Sequence, residues 1–392
     1  AHSEGAGLPY EKATIALTGV IAADMVRQLV TVDGLALTVH AGKGGPLIDA
    51  SLSTRVASDL GRQNTSLKAL KLSAALTDPT LPGGKVDLTL AADISTDMQQ
   101  QTMTLSALAL KVHDLLLNGH IQANKILSDD PTFDGRLDIE PFNLRRLANQ
   151  LAIELPPMAD DSTLQLVQAS TAFTGSSRQF KAKQLDITLD QSKLSGQLAI
   201  NNFDNPAIDF KLALDEIDVD RYLPAEEKPE QAAPAGAATA GASEFPLETL
   251  RQINTRGTLD IAKLAIKGTR SEKIHLEIKA AKGLIKLHPV SANLYQGLYQ
   301  GNIALDARGR VLKLALNHNL KNVQISPLLK DLTGDDMISG TANNKLKLRG
   351  SGINAEQFKQ TLGGSGQFSF TDGAVKGINI ADSIRRAEAA LK

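Results

Sequence analysis

The sequence contains no cysteine and no tryptophan, and aromatic residues make up only 4% of its 392 residues. The lack of cysteine excludes disulfides, thiolate metal ligands and cysteine nucleophiles. Lysine and arginine total 42 against 43 acidic residues, so the chain lacks the basic excess of a typical nucleic-acid binder. With so few aromatic residues, its apolar surface has to be built from aliphatic side chains.

The common catalytic and metal-binding patterns are also missing. The seven histidines show neither His-x-His nor His-Glu-x-x-His spacing, and no phosphate-binding glycine motif or Gly-x-Ser-x-Gly elbow occurs. We expect His275 on the polar face of a strand and His318 in a turn. The acidic pairs lie beside turn residues, where aspartate is an ordinary cap. The sequence therefore predicts no catalytic residue, no cofactor and no metal site.

Short runs of alternating apolar and polar residues are the main positive signal. Residues 345–349 alternate lysine or arginine with leucine, and residues 35–39 and 86–90 alternate in the same way. This period of two is typical of half-buried β-strands. Residues 367–371 (QFSFT) place two phenylalanines on one face of a further strand. The sequence therefore predicts a mainly β fold.

A strand followed by a short helix recurs along the chain. Strand-like runs at 136–139, 210–214 and 312–316 each lead into a candidate helical turn. After the third run, Ser326 is a candidate N-cap, Pro327 a first helical residue and Gly334 a C-terminal stop. Repetition of this kind is typical of an elongated body. Further short helices are predicted at 246–253, at 355–362 after Asn354, and at 380–391.

A stretch rich in proline, alanine and glycine interrupts the apolar pattern at residues 224–243. Such composition is typical of a flexible linker or a long disordered loop. It predicts an N-terminal β-rich region at 1–223 and a C-terminal β region with short helices at 244–392.

Several stretches of the second region carry a family resemblance. They are residues 294–301 (LYQGLYQG), 305–309 (LDARG), 327–332 (PLLKDL), 339–341 (SGT) and 366–377 (GQFSFTDGAVKG). Together they resemble the C-terminal region of the AsmA family of bacterial envelope proteins. The resemblance implies an elongated, curved, mostly antiparallel β-sheet shaped like a groove. It also implies an N-terminal membrane anchor and further C-terminal strands, so we expect this chain to be an internal fragment.

Twelve apolar residues on the alternating strands form a candidate lipid groove. They are Ile274, Leu276, Ile278, Ile303, Leu305, Leu312, Leu314, Leu316, Leu346, Leu348, Phe368 and Phe370. From the residues alone, these side chains fit the packed core of a β-sandwich. Few helices are available to cover them, however, and a mainly aliphatic surface suits fluid chains better than one rigid ligand. The resemblance favours the open groove.

The leading hypothesis is a periplasmic, non-enzymatic protein that is anchored to the inner membrane. The resemblance implies that it handles phospholipid or other lipid acyl chains between the inner and outer membranes and supports outer-membrane biogenesis. The alternative is a scaffold that assists outer-membrane protein assembly through exposed strand edges. Outer-membrane assembly components are therefore further candidate partners, and nucleic acid is not.

Overall fold

The structure is a computed structural model that describes residues 2–3, 12–42, 46–81, 83–224 and 244–376. The chain divides into two compact units, residues 1–210 and 211–392. Apart from Pro224, the predicted linker at 224–243 lies outside the described residues, as does the predicted helix at 380–391.

The first unit is an antiparallel meander. Its strands are β1 (His2–Ser3), β2 (Lys12–Asp24), β3 (Leu29–Gly42), β4 (Leu47–Asp59), β5 (Asn64–Thr77), β6 (Lys85–Asp97), β7 (Thr102–Val112), β8 (Leu115–Asn124), β9 (Thr132–Phe142), β10 (Val167–Ser176), β11 (Gln179–Leu189) and β12 (Ser192–Asn201), with helix α1 (Leu144–Gln150) between β9 and β10. Every strand from β1 to β11 pairs antiparallel with the next one in the sequence. Strand β13 (Ala207–Asp218) contains the boundary between the units.

The second unit repeats this architecture. It contains a 3-10 turn (Val219–Arg221), α2 (Leu247–Gln252), β14 (Thr255–Ile266), β15 (Thr269–Ala281), β16 (Leu284–Leu294), β17 (Gly297–Asp306), β18 (Leu312–Gln324), α3 (Ile325–Thr333), β19 (Ile338–Gly352), α4 (Ala355–Thr361) and β20 (Gly363–Val375). Strands β14 to β20 again pair antiparallel in sequence order. The predicted mainly β, antiparallel fold with a few short helices is confirmed.

The predicted strand-then-helix unit is confirmed in all three places. Helix α1 follows β9, the 3-10 turn follows β13, and α3 follows β18. Gly334 ends α3 with a φ of 78°, a left-handed conformation in which glycine meets no steric penalty. The predicted N-cap was wrong, because α3 begins at Ile325 and Ser326 lies in its first turn without capping it. Asn354 does cap α4, since its side chain accepts a hydrogen bond from the Gln357 N–H.

A row of β-bulges crosses the sheet of the first unit. The pairing shifts within the segments 32–35, 53–55, 67–70, 91–93 and 105–108. Thr54 and Ala92, which lie within two of these shifts, are buried. A bulge bends its strand and increases the local twist. Aligned bulges on successive strands therefore bend the sheet of this unit, in keeping with the predicted curvature.

Three hairpin turns of the first unit share one construction. They are residues 24–28 (DMVRQ), 59–63 (DLGRQ) and 97–101 (DMQQQ). In each turn the aspartate accepts a hydrogen bond from the backbone N–H three residues later, and the final glutamine has a left-handed φ of 55–56°. The Leu60 N–H also donates to the Gln28 carbonyl oxygen at 2.8 Å. This last bond joins the turns at 24–28 and 59–63, which are neighbours along one edge of the sheet.

Candidate functional site

Strand register in the second unit aligns apolar residues in continuous rows. Directly paired residues of an antiparallel sheet share a face, and every second residue along a strand returns to that face. One row crosses β14 to β20 through Gly257, Ile278, Leu287, Ile303, Leu316, Leu348 and Gly364. The next row on that face passes through Leu259, Leu276, Val290, Gly301, His318, Leu346 and Gly366. We call the surface that carries these rows the apolar face.

The structure brings all twelve predicted groove residues onto the apolar face. Six of them belong to the two rows. The other six, placed by the same alternation, are Ile274, Leu305, Leu312, Leu314, Phe368 and Phe370. On β20 the rings of Phe368 and Phe370 stack with their centroids 6.5 Å apart. The register thus brings residues from separate strands together on one surface. Their role in binding lipid stays a prediction.

In the part of the chain that the structure describes, the apolar face is open rather than packed under a second sheet. Of the twelve residues only Leu312 is buried; nine are half-buried, and Phe368 and Phe370 are 66% and 39% exposed. In a β-sandwich the inner faces of two sheets interdigitate and become buried. The alternative of a closed sandwich core is therefore wrong for this face.

Helices close the two ends of β19. At the C-terminal end, α4 brings the Phe358 ring and Leu362 close to Gly350, where an added Cβ would lie 3.1 Å from the ring. The Phe245 ring meets Phe358 edge-on with centroids 6.1 Å apart. At the other end, α3 contacts β15 and β19. There its Asp331 accepts a hydrogen bond from the Tyr295 hydroxyl at 2.8 Å. Within the described residues, the apolar face is thus bordered by short helices but not covered by a layer of them.

The first unit carries an apolar row of its own, which was not predicted from the sequence. Its register aligns Leu17, Leu37, Leu52, Leu72, Leu90, Leu110, Leu117, Ile139, Ala169, Ile187 and Leu194 across β2 to β12. The inner members are half-buried, and Leu17 on β2 is exposed. The signal was present in the sequence, because the alternation at 35–39 and 86–90 includes two of these leucines, Leu37 and Leu90. It was used there only to predict strands.

His318 was predicted to lie in a turn, but it lies in the middle of β18 on the apolar face. The prediction failed because the strand continues past Asn317 to Gln324. Its ring meets the Tyr299 ring edge-on at 6.0 Å, and its Nε2 atom is buried without a hydrogen-bond partner. Burial also raises the pKa of the Tyr299 hydroxyl. The pair adds a small polar element to an otherwise aliphatic surface.

His275 lies on the opposite, polar face, as predicted. Its Nδ1 atom is 2.6 Å from an Asp260 carboxylate oxygen, and its Nε2 atom is 3.8 Å from Glu277. The hydrogen bond to Asp260 is the main cause of a raised His275 pKa. Among the residues that the structure describes, no cluster of three or more histidine or acidic side chains could hold a metal ion.

Sequence comparison finds a family and a relative that this chain resembles. The sequence profile of the AsmA family matches residues 137–392, which is more than half of the chain. The chain belongs to the AsmA family. A relative, Protein AsmA of Escherichia coli strain K12, is 21% identical over 226 residues. That alignment covers 54% of this chain and 36% of the relative, so the chain spans about a third of its length. No solved structure matches the chain.

AsmA-family membership and the open antiparallel sheets are consistent with a role in the bacterial envelope. In the described parts of the chain, none of the helices is both long and apolar enough to span a bilayer.

Proposed function

We propose that this AsmA-family chain handles phospholipid or other lipids by holding their acyl chains on the apolar face. The observation that carries the proposal is the pair of unbroken rows across β14 to β20, which leave mostly aliphatic side chains half-exposed. Such a surface exposed to water is unfavourable unless something apolar covers it, and contiguous exposed apolar patches mark interaction sites.

The dimensions of the apolar face suit acyl chains. Seven strands spaced about 4.8 Å apart extend over about 29 Å, close to the roughly 30 Å hydrocarbon core of a bilayer. Each methylene transferred from water to this surface gains about 0.8 kcal/mol. This gain needs no directional chemistry, so lipid can move along the rows without a fixed binding register. The role is therefore that of a passive, non-enzymatic conduit.

In the bacterial envelope, such a conduit would work in the periplasm, between the inner and outer membranes. The proposed setting is anchorage to the inner membrane, with lipid moving between the two membranes in support of outer-membrane biogenesis. Family membership supports this setting. The aliphatic rows are compatible with many lipids, since they recognise chains and not headgroups.

A second candidate function is a scaffold for outer-membrane protein assembly. It is favoured by β20, whose side chains are all exposed and whose outer edge pairs with no other described strand. An unpaired edge can accept a strand from another protein. In this case the partner would be a polypeptide bound along β20, rather than lipid bound across the rows.

Site-specific photo-crosslinking separates the two candidates. A photoreactive amino acid would replace Leu52, Leu90 or Leu316 on the apolar rows, with Ser51, Thr89 and Ala315 on the opposite face as matched controls. After irradiation in cells, we expect lipid adducts at the three leucine positions and not at their neighbours. Equal lipid labelling at both sets would contradict the conduit. Protein adducts at positions on β20, without lipid adducts at the leucines, would favour the scaffold.

A further inference from the structure

The face of the second unit that lies opposite the apolar face carries a trench. A pocket of about 740 Å³ runs over β16, β17, β18, β19 and β20. Its floor is the backbone of the paired residues Val290, Gly301, His318, Leu346 and Gly366, which belong to the second row of the apolar face. The pocket contacts the residues on either side of this row. Apart from His288, which lies in the bulge between Leu287 and Val290, it contacts none of the residues two positions away, such as Ile303, Leu316 or Leu348. Its walls are therefore side chains of the polar face.

Both walls of the trench are almost entirely polar. One wall consists of Ser291, Gln300, Asn319, Lys345 and Gln367. The other consists of His288, Asn302, Asn317, Lys347 and Ser365, with Pro289 beside His288. Five strands place about 19 Å between the ends of the trench, and a two-residue step along a strand places its walls about 7 Å apart. This shape fits an extended chain one molecule wide.

The charge of the trench selects an anion. None of its sixteen lining residues is acidic, and neither Lys345 nor Lys347 forms an ion pair with a described residue. The bias extends along β16 to β19, where every charged residue lies on the polar face. These residues are the cations Lys286, Lys313, Lys321, Lys345, Lys347 and Arg349 and a single acid, Asp306. Because the whole chain has a net charge of −1, this concentration of cations is local.

The uncharged side chains of the walls select hydroxyl groups. Five carboxamides line the trench, and a carboxamide has both a donor and an acceptor, as a sugar hydroxyl does. The amide oxygen of Asn302 already contacts the Nδ1 atom of His288. Asn319 also has an amide oxygen that is buried without a hydrogen-bond partner. No tryptophan, tyrosine or phenylalanine lines the trench, so it lacks the stacking platform on which single-stranded nucleic acids are usually bound.

From this combination we infer that the trench binds an extended acidic oligosaccharide, a chain of hydroxyl-bearing sugars with carboxylate or phosphate substituents. Lys345 and Lys347 contact the anionic substituents from opposite walls, and the carboxamides bond the hydroxyls. This site is distinct from the apolar face and is independent of whether that face binds lipid.

The test is a titration of the full chain with a galacturonic acid pentasaccharide, with the neutral maltopentaose and inorganic phosphate in parallel. We expect saturable binding of the acidic sugar and at least tenfold weaker binding of the neutral one. Changing both Lys345→Gln and Lys347→Gln should weaken acidic-sugar binding at least tenfold. The matched control, Lys279→Gln with Lys286→Gln, removes two cations from the same face outside the trench and should leave affinity within twofold.

Three results would overturn the inference. Equal weakening by the two double variants would show diffuse attraction to a basic surface. Equal binding of maltopentaose would remove the role of charge. If inorganic phosphate displaced the acidic sugar completely at a concentration equal to the dissociation constant of that sugar, the trench would be a simple anion site. The Asn317→Ala substitution, which keeps every charge, should lower the affinity for the acidic sugar about threefold or more and leave phosphate binding unchanged. An unchanged affinity for the sugar would contradict hydroxyl recognition.

Discussion

A carboxylate placed on the apolar face should block lipid binding while leaving the fold intact. Leu316 is half-buried between Ile303 and Leu348. Full burial of a leucine side chain gains about 1.5–3 kcal/mol, so roughly 1 kcal/mol remains to be gained when lipid covers its exposed part. Leu316→Asp loses this gain. It also requires a carboxylate to be desolvated against the acyl chain, at a cost of at least about 2 kcal/mol. The sum of about 3 kcal/mol corresponds to about a hundredfold weaker binding.

The assay is the affinity of the purified chain for a fluorescent phospholipid presented in vesicles. Ala315→Asp is the matched control, because it places the same carboxylate on the next residue of β18 but on the polar face. We expect its affinity to stay within about twofold of the unmodified chain, and both variants to keep the same circular dichroism spectrum. Binding by Leu316→Asp within twofold of the unmodified chain would refute the reasoning, as would equal losses in the two variants.

Two further predictions concern the framework of the second unit. Gly352→Ala should cost about 1–3 kcal/mol of unfolding free energy, because the new Cβ would lie 2.7 Å from the Phe358 backbone nitrogen. Gly309→Ala, where no atom lies within 4 Å, should change urea stability by less than about 0.5 kcal/mol; equal effects would contradict the packing of α4. Because the pKa of His275 is raised, its bond to Asp260 stabilises the folded state, and this stabilisation is complete at pH values below the ordinary histidine pKa of 6.5. This stability is lost as pH rises through the raised pKa. The urea midpoint of the unmodified chain should therefore fall relative to that of Asp260→Asn between about pH 5.5 and 8.5, and parallel midpoints would refute the coupling.

Local patterns were enough to predict most of the secondary structure. Alternation over two residues identified the strands around Leu37, Leu88 and Leu348 because only one of their faces is apolar. Capping chemistry located α4 and the end of α3, since Asn354 and Gly334 act within a few residues of their own position. The one misplaced histidine, His318, lies where β18 runs on through asparagines that also suit a turn.

Register could not be predicted from the sequence, and both candidate sites depend on it. Pairing brings Leu348 beside Leu316, 32 positions earlier, and places bulges such as the shift between Leu287 and Val290. The trench was missed for this reason. Its asparagines, glutamines and lysines are ordinary solvent-facing residues on each strand, and only the pairing of β16 to β20 aligns them into two walls. The turn motifs DMVRQ and DLGRQ stand in the sequence, but their stacking could be predicted only after the hairpins that contain them had been recognised.

The central claim, that the open apolar rows hold lipid, is tested most directly by native mass spectrometry of the purified chain, followed by organic extraction of the bound molecules. The account predicts phospholipid at a defined stoichiometry, retained by Ala315→Asp and lost from Leu316→Asp. A lipid-free mass for the unmodified chain, with no uptake after incubation with phospholipid vesicles, would contradict it.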